Sequence, residues 1–271
     1  MELISIGSSS SGNSYIIKAG CKNLLLDVGL SGAKIMKALS ECQIEPENVD
    51  AILVTHEHID HVRSVRTIAK KCPNAKFLVS KGTLRNCNNF DKIEEERIHL
   101  MASQDEAGSD DVLVRCFGLS HDAEEPIGYS VIADGQQLTV VTDTGVVTDE
   151  IYQEMLSADI LVFEANHEER LLMVSDYPYS VKMRIKSDYG HLSNSASAEV
   201  LLKLMNDRNN DERDIANRNS KIKILLAHLS ERNNLPSEAS GRIKDILAEN
   251  GYIIDEDYSL DVALKEGLTI I

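Results

Sequence analysis

Short apolar runs rich in Val, Ile and Leu recur along the chain and alternate with segments of helical periodicity. The apolar runs predict strands at residues 3–6, 15–17, 24–27, 51–54, 77–79, 97–100, 112–117, 127–133, 138–142, 160–163, 222–226 and 252–254. The helical patterns predict helices at residues 31–39, 62–71, 148–156, 196–205 and 237–248, and the polar run at 206–220 predicts a solvated loop or frayed helix end. No linker, repeat or low-complexity segment interrupts this order, so we expect a single domain over residues 1–271.

The strand at 51–54 is followed by the most informative segment, residues 55–61, with the sequence Thr-His-Glu-His-Ile-Asp-His. Imidazole and carboxylate groups suit a borderline divalent metal, and a strand end is a rigid place for such ligands. His56 and His58 can converge on one ion, whereas Asp60 and His61 can point toward a second. Capping of the helix that begins near Asp60 is the alternative for a lone histidine, but the combined pattern predicts a two-metal site.

Other histidines and carboxylates also follow predicted strands or lie at glycine-flanked turns. Together with the first segment they form the set His56, His58, Asp60, His61, His121, Asp143, His191 and His228, which contains six of the eight histidines. Because strand ends at one edge of a sheet lie close together, we expect these side chains to meet, although up to 172 positions (228 − 56) separate them. Asp27, at another strand end, either caps the helix at 31–39 or accepts a hydrogen bond from a metal-bound histidine.

Composition and charge limit the class of protein. The chain has 42% hydrophobic and 27% charged residues, as globular proteins do, and no apolar run of the length that a membrane span requires. The first five residues lack the features of a signal peptide, and the five cysteines are scattered without a C-x-x-C pair, which predicts a cytoplasmic protein with reduced thiols. The net charge of −16 argues against a broad basic nucleic-acid surface, but not against local binding of a few phosphates.

Three segments leave alternatives open. The Gly- and Ser-rich residues 7–13 form either a plain hairpin connection or a loop whose backbone N–H groups bind an anion. Lys182, Arg184 and Lys186 form either a local phosphate clamp or a solvated basic face. His191 either contacts the substrate or is a partner in capping the helix that follows it.

On these residues the chain resembles the metallo-β-lactamase fold superfamily, in which H-x-H-x-D-H is followed by a later histidine, a bridging aspartate and a last histidine. More closely, it resembles the YycJ (WalJ) group of 5′-to-3′ DNA exonucleases. The segments that carry the resemblance span nearly the whole chain: residues 7–13, 26–29, 55–61, 120–123, 126–129, 142–145, 163–167, 190–194 and 227–230.

The resemblance implies an α/β (α+β) fold, a four-layer αββα sandwich of two mixed β-sheets flanked by helices, with two divalent ions, Zn²⁺ or Mn²⁺, at one edge. One ion would be bound by His56, His58 and His121, and the other by Asp60, His61 and His228, with Asp143 bridging both. Asp27, Glu164 and His167 would lie next to the metal ligands and orient them without binding the metals. The substrate would be contacted by Asn13, Lys182, Arg184 and Asn194.

The same resemblance implies hydrolysis of a phosphodiester bond in nucleic acid, and most specifically a 5′-to-3′ DNA exonuclease. In that hypothesis a metal-bridging hydroxide attacks phosphorus, Asp60 or Asp143 orients its proton, and His191 binds a phosphate oxygen or protonates the leaving oxygen. The 85 positions between Asp143 and His228 (228 − 143) leave no room for the inserted domain of RNA-degrading relatives, which favours DNA. Alternatives are a small-molecule hydrolase acting on a cyclic phosphodiester, thioester or lactone, and a non-catalytic metal-binding signalling partner.

Overall fold

The computed structural model describes residues 1–109, 111–210 and 221–271. They divide into two compact units, the first comprising residues 1–119, 123–136 and 263–271 and the second residues 120–122 and 137–262. Each unit therefore combines stretches that are distant in sequence, and the single domain expected over residues 1–271 stays a prediction.

The described strands, in chain order, are β1 (Glu2–Ser9), β2 (Gly12–Ala19), β3 (Lys22–Leu26), β4 (Ala51–Val54), β5 (Lys76–Val79), β6 (Ile98–Leu100), β7 (Glu106–Gly108), β8 (Val112–Gly118), β9 (Ile127–Ala133), β10 (Gln136–Val141), β11 (Ile160–Glu164), β12 (Ile222–Ala227), β13 (Tyr258–Val262) and β14 (Thr269–Ile270). They form two mixed sheets of seven strands each, with the orders β14-β1-β2-β3-β4-β5-β6 and β13-β12-β11-β10-β9-β8-β7. The described helices are α1 (Gly32–Glu41), α2 (Ile59–Val62), α3 (Val65–Lys71), α4 (Lys81–Asn86), α5 (Asp149–Leu156), α6 (Glu169–Val174), α7 (Tyr179–Ile185), α8 (Asn194–Asn210) and α9 (Pro236–Glu249). Two mixed sheets flanked by helices confirm the predicted fold class.

In the first unit, strands β3, β4 and β5 are parallel and buried, as their aliphatic sequences require. Leu26 pairs with Leu53, and Leu53 with Leu78, so the carboxyl ends of the three strands are aligned. This register places Asp27, which follows β3, beside Thr55, which follows β4. The helices on this sheet fill its core with Ile35, Leu39, Val65 and Ile68.

In the second unit, strands β10, β11, β12 and β13 are parallel to one another. Val141 pairs with Phe163, and Phe163 with Leu226, so the carboxyl ends of β10, β11 and β12 lie at one edge. The polar residues Asp143, Glu164 and His228 stand at or just beyond these three ends. Parallel pairing thus gathers side chains that lie far apart in the sequence.

Residues 7–13 are mostly strand and not a loop. Strands β1 and β2 form an antiparallel hairpin in which Ser8 pairs with Asn13 and Ser9 with Gly12. The turn between the strands therefore consists of residues 10 and 11. The structure therefore favours the hairpin over the anion-binding loop.

Three expected elements differ from the structure. The helix expected at 62–71 is two helices, α2 and α3, that are separated by Arg63 and Ser64. The strand expected at 252–254 is wrong, because the strand beside β12 is β13 and Ile254 makes only an isolated bridge to Tyr258. Of the polar run at 206–220, the part up to Asn210 continues α8, and residues 211–220 lie outside the described residues.

No helix among the described residues combines the length and the apolar character that a membrane-crossing segment needs.

Tyr129 in β9 joins two neighbouring strands of the first unit. Its buried hydroxyl lies 2.8 Å from the carbonyl oxygen of Leu78 and 3.1 Å from that of Val54, and burial raises its pKa well above the ordinary value.

We expect Tyr129→Phe to lower the free energy of unfolding by about 1–3 kcal/mol, because both carbonyls lose a buried donor. Urea titration measures the change. Tyr179→Phe, on an exposed ring, is the control and should have no effect beyond about 0.5 kcal/mol; equal stability of both variants with the wild type would contradict the prediction.

Candidate active site

The first histidine cluster comprises His56, His58 and His61, with Asp60, on the segment that follows β4. The ring centroids of His56 and His58 are 4.6 Å apart, and those of His56 and His61 are 4.1 Å apart. His58 is the residue before α2, but its side chain makes no capping hydrogen bond. The structure therefore gives no support to helix capping as the role of His58, and it places the three imidazoles side by side.

The buried carboxylate of Asp27 fixes the rings of this cluster. It accepts hydrogen bonds from the backbone N–H of Thr55 (2.9 Å), from the Thr55 hydroxyl (2.9 Å) and from Nδ1 of His61 (2.6 Å). Since the Thr55 hydroxyl donates to Asp27, it accepts from Nδ1 of His56, 3.0 Å away. Nδ1 is thus the donor atom of His56 and of His61, which leaves Nε2 of each ring as the nitrogen that can bind a metal.

Asp27 thus orients His61 directly and contacts Thr55, which bonds to His56; its support of metal-bound histidines stays a prediction. The alternative, capping of α1, is not observed, because Ser31 is the N-cap of that helix. Gly29 permits the close approach of the two segments, since a Cβ at this position would overlap the carbonyl oxygen of Asp60. Asn13 is also buried here, with its amide nitrogen 3.2 Å from Nε2 of His61; its contact with substrate stays a prediction.

The second histidine cluster comprises His121, His191 and His228, with Asp143, in the second unit. At its centre lies Glu164, which is fully buried at the end of β11. One carboxylate oxygen accepts from Nδ1 of His191 (2.8 Å) and from Nδ1 of His228 (3.0 Å). The other accepts from the backbone N–H groups of Thr144 and Leu192. Glu164 therefore orients the imidazoles of this cluster through their Nδ1 atoms, as Asp27 orients His61 in the first cluster.

The imidazoles of the second cluster surround the carboxylate of Asp143. One oxygen of Asp143 lies 3.2 Å from Nε2 of His228 and 3.7 Å from Nε2 of His121. Nδ1 of His121 donates to the carbonyl oxygen of Gly190 (3.2 Å). Asp143, Glu164, His191 and His228 each offer one ligand atom within 4.8 Å of the others. Nitrogen and oxygen donors at this spacing suit a divalent cation, but Glu164 already accepts from Nδ1 of His191 and of His228, which fits a support for the ligands and not a ligand.

The electrostatics of the second cluster keep its carboxylate charged and one of its rings neutral. Burial alone raises the pKa of Glu164, but the adjacent His191 and His228 lower it by more, and the pKa is held far below its ordinary value. Burial lowers the pKa of His121, an effect that Asp143 partly offsets. A neutral imidazole beside ionised carboxylates is the protonation state that binds a metal.

Two residues of the second cluster, Asp143 (φ 59°) and His228 (φ 55°), and Asp27 beside the first cluster (φ 54°) have left-handed backbone conformations. Each lies just after a parallel strand. Residues other than glycine adopt this conformation at an energetic cost, and such strain concentrates at functional sites. The strand ends therefore turn sharply at the residues expected to act on the metals.

The other predicted site residues have mixed placements. His167 is buried beside α8, with its carbonyl oxygen bonded to the N–H of Asn194. Asn194 was expected to contact the substrate. Its side chain is instead buried and hydrogen-bonded to Asn234 (2.9 Å), which is a structural role. Lys182 is likewise buried, and its ammonium donates to the carbonyl oxygens of Met173 and Ser175 (both 2.7 Å).

The expectation that Lys182 belongs to a phosphate clamp is therefore wrong, because its ammonium is buried and donates hydrogen bonds to two backbone carbonyls. It does not belong to a solvated basic face either. Arg184 is exposed and forms an ion pair with Asp122 (2.7 Å), next to His121 in the sequence. Arg184 is thus held near the second cluster, and its contact with substrate stays a prediction.

Two residues that the sequence did not single out support the histidines. Thr55 bonds to Asp27, His56 and His61, and its position at the start of the histidine motif was the available signal. Asn166 donates from its amide to the carbonyl oxygen of His228 (2.9 Å) and fixes the turn after β12. Nothing in the local sequence around Asn166 indicates this contact.

Comparison with known proteins gives the family. Residues 22–209 match the model of the β-lactamase superfamily domain. Exodeoxyribonuclease WalJ of Streptococcus pneumoniae (strain D39) is 34% identical over 257 residues, which cover 94% of this chain and 91% of the relative. Exodeoxyribonuclease YycJ of Bacillus anthracis is 31% identical over 255 residues, covering 94% and 92%. The chain belongs to the metallo-β-lactamase superfamily and, within it, to the family of WalJ and YycJ.

The superfamily assignment confirms the resemblance inferred from the sequence motifs. The metallo-β-lactamase fold protein YhfI of Bacillus subtilis shares the fold, with a TM-score of 0.69 over 99% of this chain and 98% of that chain at 14% identity. The superfamily match includes both histidine clusters except His228, which lies beyond the matched residues.

His167 makes the stability of the protein depend on pH. Burial lowers its pKa from 6.5 to about 4, and its Nδ1 has no hydrogen-bond partner among the described residues. Above pH 6.5 the ring is neutral in the folded and unfolded states; as the pH falls, only the unfolded chain takes up the proton, so stability is lost between pH 6.5 and 4.

We therefore expect the free energy of unfolding, measured with urea and a chelator, to fall between about pH 7.5 and about pH 5 by about 2 kcal/mol more in the wild type than in His167→Gln. The glutamine variant is the control because it lacks this titration and keeps the other titratable groups. Equal pH dependence of the two proteins would show that His167 does not contribute.

Proposed function

We propose that this protein is a metal-dependent hydrolase that cleaves phosphodiester bonds in nucleic acid, acting as a 5′-to-3′ DNA exonuclease. The observation that carries the proposal is the identity of 34% and 31% to two proteins named exodeoxyribonuclease, each over 94% of the chain. The imidazole and carboxylate clusters in both units agree with it, since phosphodiester hydrolysis with two metals needs such ligands.

The donor atoms of the chain fit two divalent ions. His56 and His61 in the first cluster, and His121 and His228 in the second, all use Nδ1 to donate a hydrogen bond and keep Nε2 for a metal. We propose that His56, His58 and His121 would hold one ion and Asp60, His61 and His228 the other, with Asp143 as a ligand of both. Nitrogen and oxygen donors without thiolate suit Zn²⁺ or Mn²⁺.

When bound, two such ions lower the pKa of a water molecule and stabilise charge on phosphate oxygens. The chain itself supplies the groups that handle protons. The carboxylate of Asp60 or Asp143 accepts and orients the proton of the attacking water. His191, half-buried and fixed through its Nδ1 on Glu164, presents Nε2 to a phosphate oxygen or to the leaving oxygen, where it holds or donates a proton.

DNA is the substrate that we propose, in an enzyme that works in the cytoplasm with its cysteines reduced. The described structure shows all five cysteines as free thiols. The net charge of −16 favours the competing hypothesis, a small-molecule hydrolase acting on a cyclic phosphodiester, thioester or lactone, because strong negative charge opposes polyanion binding. A few local cations and bound metals are sufficient to overcome that repulsion near the site.

The substrate class is tested with protein loaded separately with Zn²⁺ and Mn²⁺. The assay compares single- and double-stranded DNA labelled at the 5′ end, the matched RNA, and a chromogenic phosphodiester. We expect stepwise release of mononucleotides or short products from the 5′ end of DNA. Turnover of the small phosphodiester with none of DNA or RNA would instead support the small-molecule hydrolase, and no turnover of any substrate would support a non-catalytic metal-binding partner.

The ligand assignment predicts different outcomes at two residues of the second cluster. Asp143→Ala removes a ligand shared by both ions, so we expect loss of metal measured by mass spectrometry and loss of turnover by at least about 1,000-fold. His191→Ala is the matched variant, and should retain the metal content while turnover falls about 100- to 10,000-fold. Near-normal activity of Asp143→Ala would refute the bridging role, and loss of metal from His191→Ala would make His191 a ligand.

A further inference from the structure

Helix α7 has an exposed tyrosine at each end. Tyr179 is its first residue and is 70% exposed, and Tyr189 lies four residues beyond its end and is 65% exposed. The other six tyrosines of the chain are buried or half-buried. Two large aromatic rings that stay in water on one segment leave their faces available for stacking on a ligand.

Tyr189 is held against the second histidine cluster by both of its neighbours. The carbonyl oxygen of Asp188 accepts a hydrogen bond from the Ser120 hydroxyl (2.7 Å), and that of Gly190 accepts from Nδ1 of His121 (3.2 Å). A Cβ on Gly145, two residues after Asp143, would overlap the backbone of residues 187 and 188. The backbone on each side of the exposed ring is therefore anchored to the segments that carry the expected metal ligands.

The charge around α7 differs from that of the whole chain. Between Tyr177 and Gly190, three of the four charged residues are basic, although the chain carries −16 overall. Lys182 is buried, whereas Lys186 and Arg184 are exposed, with Arg184 in an ion pair with Asp122 (2.7 Å). Exposed aromatic rings together with cations form the type of surface that binds single-stranded nucleic acid, in which bases stack on rings and phosphates lie near the cations.

We propose that Tyr179, Arg184, Lys186 and Tyr189 form a stacking surface for one strand of the nucleic acid substrate. Tyr189, two residues from His191, stacks on the base next to the phosphodiester that is cleaved, and Tyr179 stacks on a base farther along the strand. The two rings are ten positions apart in the sequence, with the helix Tyr179–Ile185 between them, so they can contact different bases of one strand. This proposal rests on the proposed function and identifies how that site recognises a strand without reading its sequence.

The experiment measures equilibrium binding of a 5′-phosphorylated oligothymidylate whose phosphorothioate linkages resist cleavage. Fluorescence anisotropy of a labelled strand gives the affinity. The chain has no tryptophan, so quenching by a stacked base appears as a partial loss of the emission of its eight tyrosines. We expect Tyr179→Ala and Tyr189→Ala each to weaken binding by about 5- to 150-fold and to reduce the quenching. Tyr179→Phe and Tyr189→Phe keep a ring and should bind within about twofold of the wild type.

Two controls separate stacking from a structural role. Ile253→Ala removes another exposed apolar side chain, 52% exposed, and should leave binding unchanged. A strand with abasic sites in place of bases should bind the wild type as weakly as the intact strand binds the alanine variants.

The outcomes distinguish this surface from the proposed function. Unchanged affinity in both alanine variants overturns the stacking surface, even if the wild type degrades DNA. Tyrosine-dependent binding by a protein that cleaves no nucleic acid supports the surface and overturns the exonuclease. Absence of strand binding by the wild type also overturns the surface.

Discussion

The structure of both histidine clusters depends on a buried carboxylate that accepts a hydrogen bond from Nδ1 of an imidazole. Asp27 holds His61 in the first unit, and Glu164 holds His191 and His228 in the second. Burying a carboxylate is costly unless it accepts several hydrogen bonds. Both groups meet that condition, because backbone N–H donors complete their coordination. The same bonds occupy Nδ1 of each ring and leave Nε2 for the roles that we propose, so the contacts that stabilise the buried carboxylates also orient the imidazoles.

Parallel strands supply these carboxylates and histidines at defined positions. In the second unit, β10, β11 and β12 end in register, and Asp143, Glu164 and His228 stand at these ends. Left-handed conformations at Asp143 and His228 turn the chain sharply there. The packed interior of the sheet thus offsets the cost of local backbone strain, and substitution of core residues beneath the strand ends would displace the side chains that we propose as metal ligands.

Much of the fold and most of the proposed ligands could be predicted from the sequence, because apolar runs end in histidine or aspartate and both signals are local. What failed depends on tertiary contacts. Lys182 looked like a phosphate ligand, but its ammonium binds the carbonyl oxygens of Met173, near the end of α6, and of Ser175, just after that helix. Asn194 looked like a substrate contact and instead bonds to Asn234, forty positions away. The strand β13 was missed because its sequence, Tyr-Ser-Leu-Asp-Val, is only weakly apolar and its partner is β12.

Diffraction data collected near the manganese absorption edge, from crystals of the protein purified without chelator and supplied with Mn²⁺, test most directly whether the chain binds two ions. Two anomalous peaks about 3.5–4 Å apart are expected, one against Nε2 of His56 and one against Nε2 of His61, with Asp143 in contact with both. A single peak, or two peaks that leave Asp143 uninvolved, would contradict a dinuclear centre built from these residues.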